Sequence, residues 1–408
     1  MKLFIYIVLG FLFLSCKNAN TTSTNINFEK QSQIADTTIY PGIYDTNTYI
    51  ELIENKRIAI IGNQTSIIAN THLVDTLLAL DQNIVKVFCP EHGFRGIADA
   101  GEKIDDSTDK KTGLPIISLY GNNKKPSEEQ LANIDIVIFD LQDVGVRFYT
   151  YISTLHYVME ACAENQIPLI VLDRPNPNGH YIDGSVLDTA NNKSFIGMHP
   201  VPVVYGMTIG EYALMINGEN WLNNKIKCEL KIISCQNYTH KSKYSLPIAP
   251  SPNLPNDRSI ELYPSLCLFE ATNLSIGRGT DKQFQIIGHP ALSALAIADF
   301  IFTPKPNKGA SNPTLNGELC YGFDLSENYS IFEWQNDKLN INILLKLYKL
   351  FPDKDKFFKT SNSIDLLSGD SKFRNQVKNQ ISEKEIRDTW EDEIIKFKKT
   401  REKYLLYE

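Results

Sequence analysis

Residues 134–150 read IDIVIFDLQDVGVRFYT. The first seven, Ile134–Asp140, form a nearly continuous β-branched and aromatic run that ends on a carboxylate. A run of ~5–7 such residues is what a strand covered on both faces requires. Behind it comes a polar loop with Asp143, Gly145, Arg147 and Tyr149, and then a helical pattern over 152–166. The same signature recurs outward along the chain. Strands are expected at Arg57–Gly62, Ile84–Cys89, Pro115–Leu119 and Pro168–Asp173, with helices over 46–55, 73–80 and 126–132. Ser127 followed by Glu128 and Glu129 is a good helix start, because the hydroxyl caps free amides and the acids favour the positive end of the dipole. Strands alternating with helices predict an α/β fold with a doubly wound, mostly parallel sheet.

Composition excludes several classes. The 408 residues are two to three times the ~150 of a typical domain, so two domains or one large one are expected. With 42% hydrophobic and 22% charged residues, wholesale disorder is excluded. A net charge of −7 is the wrong sign for a chain living on nucleic-acid phosphates. No nucleic-acid partner is expected.

The first residues read as an address. Lys2, the apolar run LFIYIVLGFLFL and then Ser15-Cys16 make a signal peptide, too short to span a bilayer permanently. Cys16 at the cut resembles a bacterial lipobox, which would put a lipid on its thiol; a plain secretory signal with an incidental Cys is the bland alternative. Export and a lipid anchor on a bacterial membrane, facing the periplasm, are therefore expected. The Asn-, Thr-, Ser- and Gln-rich stretch over 17–39 lacks the apolar residues to offset its ordering entropy and reads as a tether. Cys89, Cys162, Cys228, Cys235, Cys267 and Cys320 make no zinc spacing, and free buried thiols are expected, Cys228 with Cys235 being the one pair to check.

The chemistry is expected where the strands end. In open α/β sheets ligands bind outside the carboxyl ends. Those ends carry Asn63, then Glu91, His92 and Arg95 with Asp99 and Glu102 beyond, then Tyr120, then Asp140, Asp143, Arg147 and Tyr149, then Asp173 and Arg174. No GxGxxG follows the first strand, no GxSxG occurs, and no HExxH or histidine cluster appears. Nicotinamide chemistry, an α/β-hydrolase triad and a zinc site are thereby disfavoured, and neither cofactor nor metal is expected. What remains is rich in carboxylates, as glycoside cleavage needs: one acid to protonate the leaving oxygen and a second group to activate water or attack carbon. Glu91 suits the acid, since burial beside Phe94 would raise its pKa; the plainer reading is a loop cap bonded to Arg95 or backbone amides. Asp140 and Asp143 could pair with Arg147 or Arg174 structurally, and His92 could be an ordinary loop histidine. Glu211, three residues after Thr208, reads as a capping-box partner. Later, Glu270 precedes the turn Gly277-Arg278-Gly279, which could bring Arg278 to an anion.

The strings PEHGFRG, DAGE, TGLPIISLYG, DLQDVGVRFYTYISTL, LDRPNPNG, GMTIGE, SPNLP and LYPSLCLFEATNLSIGRGTD, followed by Phe284 and Gly288-His289-Pro290, run in order from about Tyr40 onward. Together they resemble the bacterial exo-β-N-acetylmuramidases, the NamZ-like family. The resemblance implies a peptidoglycan hydrolase that releases N-acetylmuramic acid from non-reducing ends, on a Rossmann-like domain with a smaller C-terminal α+β domain completing the cleft. The domains are expected at 40–240 and 241–408. It implies Glu91 as catalytic acid and Tyr120 as a cleft tyrosine, and draws Asp143, Arg147, Tyr149 and Arg278 into the site. With the strand-end reading, catalysis is expected from Glu91, Tyr120 and Asp143, and substrate binding from Asn63, His92, Arg95, Asp140, Arg147, Tyr149, Arg174, Glu270 and Arg278. Arg278 or Arg147 would read the lactyl carboxylate by a bidentate contact. Two departures from the pattern, Ala271 and the lack of proline before Phe284, touch no residue of the mechanism. The rival from another class is a non-catalytic sugar-binding lipoprotein. In the C-terminal part, helices are expected near 289–302, 340–351 and 376–407.

Overall fold

The computed structural model describes residues 37–91, 93–95, 107–327 and 332–408. Cys16, His92, Asp99 and Glu102 lie outside them, as do the signal peptide and most of the tether.

Seven strands form the main sheet: β1 (Ile58–Gly62), β2 (Ile84–Cys89), β3 (Ser107–Thr108), β4 (Pro115–Ser118), β5 (Ile136–Asp140), β6 (Leu169–Leu172) and β7 (Leu230–Ile233). Their spatial order is β3-β4-β2-β1-β5-β6-β7. All pairings are parallel except β3 with β4 at the edge. Counting only the parallel strands in chain order, the sheet runs 3-2-1-4-5-6, the doubly wound order whose direction reverses beside β1. The register seats Gly62 against Asp140 and Cys89 against Ser118. The ends of β4, β2, β1 and β5 therefore stand side by side, with the loops that follow them.

The strands are apolar without alternation because both faces are covered. Ile58, Ile60, Val87, Ile136 and Ile138 pack with α1 (Thr46–Ile53) and α2 (Leu73–Ala79) on one side. Ala59, Ile61, Phe88, Val137 and Phe139 pack on the other with α4 (Tyr151–Glu164), α5 (Ile209–Gly218) and most of the C-terminal half; α3 (Glu128–Leu131) contributes Leu131 there. The expected helix starts form: Ser127 Oγ accepts from the Gln130 amide at 3.1 Å, and Thr208 with Glu211 closes the expected capping box at the start of α5.

The C-terminal part begins with α6 (Asp257–Leu266) and holds a three-stranded antiparallel sheet of β8 (Ile286–His289), β9 (Phe300–Phe302) and β10 (Cys320–Asp324). It closes with α7 (Asn342–Leu350), α8 (Ser363–Ser368), α9 (Phe373–Lys378), α10 (Glu383–Asp388) and α11 (Glu391–Arg401). Two expectations are corrected here. The stretch 289–302 is one 3₁₀ turn, Pro290–Leu292, and the strand β9, because pairing with β10 overrides its alanine-rich helical pattern. The stretch 376–407 is broken, since Ser382 caps a new helix with its own capping box. Residues 203–204 form only isolated bridges, Val146 and Asp183 both pairing with Val204. The strand β7 was not expected; it is partly exposed and lacks the continuous apolar run of the others. The six cysteines other than Cys16 are buried, and Cys228 and Cys235 are free thiols.

Candidate active site

A pocket lies at the carboxyl end of the sheet, where ligands bind in open α/β folds. Its wall draws on segments far apart in the chain: Glu91 after β2, Phe148 to Tyr151 at the entry of α4, Ser251, Asn253 and Leu254, Tyr263 of α6, and Arg278 with Phe284. Among the described residues of this wall, Glu91 and Arg278 are the charged ones, and Phe148, Tyr149, Tyr151, Tyr263 and Phe284 supply aromatic rings.

Those rings pack edge to face. Tyr149 meets Tyr151 at 4.8 Å and Tyr263 at 6.0 Å between centroids, and Tyr263 meets Phe284 at 5.0 Å. Such contacts fix ring orientation as well as burying area. Hydrogen bonds add to this: Tyr149 donates its hydroxyl to Pro250 O at 2.9 Å, and Asn63 Nδ2 donates to the Tyr151 hydroxyl at 2.8 Å. Asn63 is fully buried and sits behind the wall. Its role is to hold Tyr151, and its own Oδ1 accepts from the Thr65 amide and hydroxyl at 2.9 and 2.7 Å.

Tyr120 hydrogen-bonds Glu91, and burial, then the Glu91 charge, pushes its phenol up to about 12. It is a hydroxyl donor throughout the working pH range. Arg278 is held from behind: its Nε and Nη2 lie 2.8 and 2.5 Å from Glu270 Oε1, and its guanidinium stands 5.0 Å above the Phe284 ring. That clamp orients the cation at the pocket wall, and makes Glu270 its support.

The other expected residues are not gathered here. Arg147 is fully buried and donates to four backbone carbonyls, Ser185 and Val201 at 2.8 Å each, Leu367 at 2.9 Å and Ser368 at 2.6 Å. It cannot reach a sugar carboxylate. Burial pulls its pKa down to about 9. Asp140 and Arg174 form a buried bidentate pair at 2.6 and 2.9 Å, the structural alternative raised by their sequence. Asp143 is buried and accepts from Gly145 N at 2.7 Å and from the Tyr205 hydroxyl, and burial raises it to about 6. It lies behind the wall. Arg95 turns to Asp109, at 3.0 and 2.7 Å, and stacks over Phe94. Arg147, Asp140, Arg174 and Asp143 are buried behind the wall, and Arg95 is paired with Asp109 and does not line the pocket among the described residues.

Sequence reasoning did not single out Phe148, Tyr151 or Tyr263, nor Asn253 and Leu254 within the Pro-bracketed Ser251–Pro255 loop, whose place beside Glu91 only the fold supplies. Among the described residues no cluster of His, Cys, Asp and Glu is arranged to hold a metal ion.

The chain is similar to known proteins over most of its length. A family model described as "Exo-beta-N-acetylmuramidase NamZ, N-terminal" matches residues 58–258, and its C-terminal counterpart matches 261–407. The peptidoglycan beta-N-acetylmuramidase NamZ of Bacillus subtilis (strain 168) is 37% identical over 382 residues, covering 88% of this chain and 89% of that one. Two solved structures of DUF1343 family proteins from Bacteroides fragilis NCTC 9343 are similar throughout. One is 44% identical with a TM-score of 0.83, the other 30% identical with a TM-score of 0.78, and each comparison covers 91% of this chain and 99% of the other.

Proposed function

The chain belongs to the NamZ family of exo-β-N-acetylmuramidases, and on that premise we propose that it releases N-acetylmuramic acid from the non-reducing end of peptidoglycan fragments, with Glu91 as the acid. It is a glycoside hydrolase. The observation that carries the finer reading is the pairing in one aromatic-walled pocket of a carboxylic acid, held by Tyr120, with a clamped arginine.

In this reading the sugar lies against the Tyr149, Tyr151 and Tyr263 rings, and Glu91 protonates the glycosidic oxygen as the bond to the anomeric carbon breaks. A water molecule adds to that carbon and gives up the proton that restores the acid. Tyr120 orients the Glu91 carboxyl. The lactyl ether of N-acetylmuramic acid carries a carboxylate, and Arg278 is the cation that meets it. Export and anchoring through a lipid on Cys16 belong to the same proposal, placing the enzyme beside the polymer it degrades.

The purified protein, incubated with MurNAc–GlcNAc and with longer glycan fragments, is expected to release free N-acetylmuramic acid one residue at a time. Tight binding without release would favour the sugar-binding lipoprotein instead. Cys16→Ala should move the protein out of the membrane fraction, and an unchanged distribution refutes the anchor.

A further inference from the structure

We propose that a second cavity, beside the glycoside pocket, binds a short peptide with both ends free. The proposal stands apart from the reading of the first pocket.

The cavity measures about 490 Å³, inside the ~300–1,000 Å³ range of small-molecule sites. Asn178, in the loop after β6, helps line it, so it too opens at the carboxyl end of the sheet. Lys241 and Lys243 reach it from the segment after β7. Asp257, Ile260 and Glu261 reach it from the first turns of α6. Those three are spaced i, i+3 and i+4, which puts them on one face of the helix. Tyr263, three residues past Ile260 on α6, lines the glycoside pocket, so the two sites are neighbours.

Hydrogen bonds fix the frame. The Ser242 amide donates to Thr239 O and the Thr239 amide to Ser242 Oγ, each at 3.0 Å, holding the turn that carries the lysines. Asn178 is buried, and its Nδ2 donates to Val144 O at 2.9 Å. His180 Nε2 lies 2.9 Å from Asn336 O, a bond between two residues that both line the cavity.

The charges inside this frame are unmatched. Lys241, Lys243 and Asp257 are exposed and make no ion pair among the described residues. Glu261 is met by Arg258, whose Nη1 lies 2.7 Å from Oε2. Lone surface charges need no partner, since water serves them well. Opposite charges that line one cavity without meeting fit a dipolar molecule, because a ligand of one sign answers only one of them. A free amino acid carries its ammonium and carboxylate on a single carbon. Groups that do not pair across a cavity need a longer spacer, and an extended peptide supplies ~3.5 Å per residue. Two or three residues suffice.

The test is calorimetry of the purified protein with trialanine, N-acetyl-trialanine and trialanine amide. Trialanine should bind saturably, and capping either end should weaken it at least about fivefold. Lys241→Gln combined with Lys243→Gln should lower the affinity for trialanine to that for the amide. Asp257→Asn should lower it to that for the acetylated peptide. If the double variant does not fold, Lys241→Gln and Lys243→Gln are read singly for the same loss. Hydrolysis of MurNAc–GlcNAc should stay within about twofold in each variant and with trialanine present, which separates this site from the glycoside pocket. The assignment is overturned by a lack of saturable binding, by equal affinity for free and capped peptides, or by affinity that neither substitution moves. Competition between trialanine and MurNAc–GlcNAc overturns it as well.

Discussion

Tyr120 meets Glu91 through its hydroxyl, and burial holds that phenol protonated up to about pH 12. Removing the hydroxyl should disorder the acid without disturbing the fold. Tyr120→Phe is expected to lower kcat about 10- to 100-fold with its thermal midpoint near the wild type's, and steady-state assays with melting curves check both. An unchanged kcat would separate Tyr120 from the reaction. Legibility was uneven at this scale. Glu91 and Tyr120 could be named because each closes a strand in an unusual string. Arg147, Asp140, Arg174 and Arg95 sit in equally unusual strings, yet Arg147 is taken up by carbonyls, Asp140 and Arg174 by one another and Arg95 by Asp109. Spacing along a loop does not say whether a side chain turns to the pocket or to the core. The contact of Asn253 with Gly309 was not legible, since the two are distant in sequence.

At the scale of elements, α8 depends on Arg147. Leu367 and Ser368 end that helix, and the last carbonyls of a helix have no partners of their own. The guanidinium supplies donors and positive charge at the negative end of the dipole, tying the loop after β5 to the C-terminal part. Gly369, at φ +75°, is needed where a Cβ would stand 2.4 Å from Arg147 Nη2. Arg147→Met leaves buried carbonyls unpaired and should cost about 3 kcal/mol of stability, measured by urea unfolding. KM of the folded enzyme should not change, and a raised KM with intact stability would return Arg147 to the substrate. The strands were legible because burial on both faces leaves a run of apolar residues. The C-terminal helices were less so: charge and apolar periodicity runs on past Ser382, and a capping box there reads as helix interior until the break is seen.

Across the whole molecule, the doubly wound sheet was legible, but the strand order beside β1 and the return of the C-terminus were not. Tyr407 donates to Asp173 at 2.6 Å and the Leu406 amide to Glu211 at 2.8 Å, so the last residues seal the N-terminal sheet. Stability should also respond to pH through a buried network. His199 Nε2 lies 2.9 Å from His156 Nδ1, and His199 Nδ1 lies 3.0 Å from the Tyr212 hydroxyl. Burial lowers His156 to about 4, and lowers His199 as well. The unfolded chain takes up these protons near pH 6.5 and the folded one does not, so this stability is full above pH 6.5 and lost as pH falls toward 4. For His156 alone the loss is on the order of 3 kcal/mol. Asp143 and Asp173, raised by burial to about 6, act with the opposite sign, which calls for a difference measurement. The stability gap between wild type and His156→Gln should narrow by about 2 kcal/mol from pH 7 to pH 4.5, and a constant gap contradicts the network's neutral state.

The most direct test of the whole account replaces Glu91 by Gln, which keeps its shape and removes its proton. Binding of MurNAc–GlcNAc by calorimetry and its hydrolysis are measured side by side. The account predicts wild-type affinity within about threefold and a fall in kcat of about 10²- to 10⁴-fold. Turnover that survives in Glu91→Gln would contradict it.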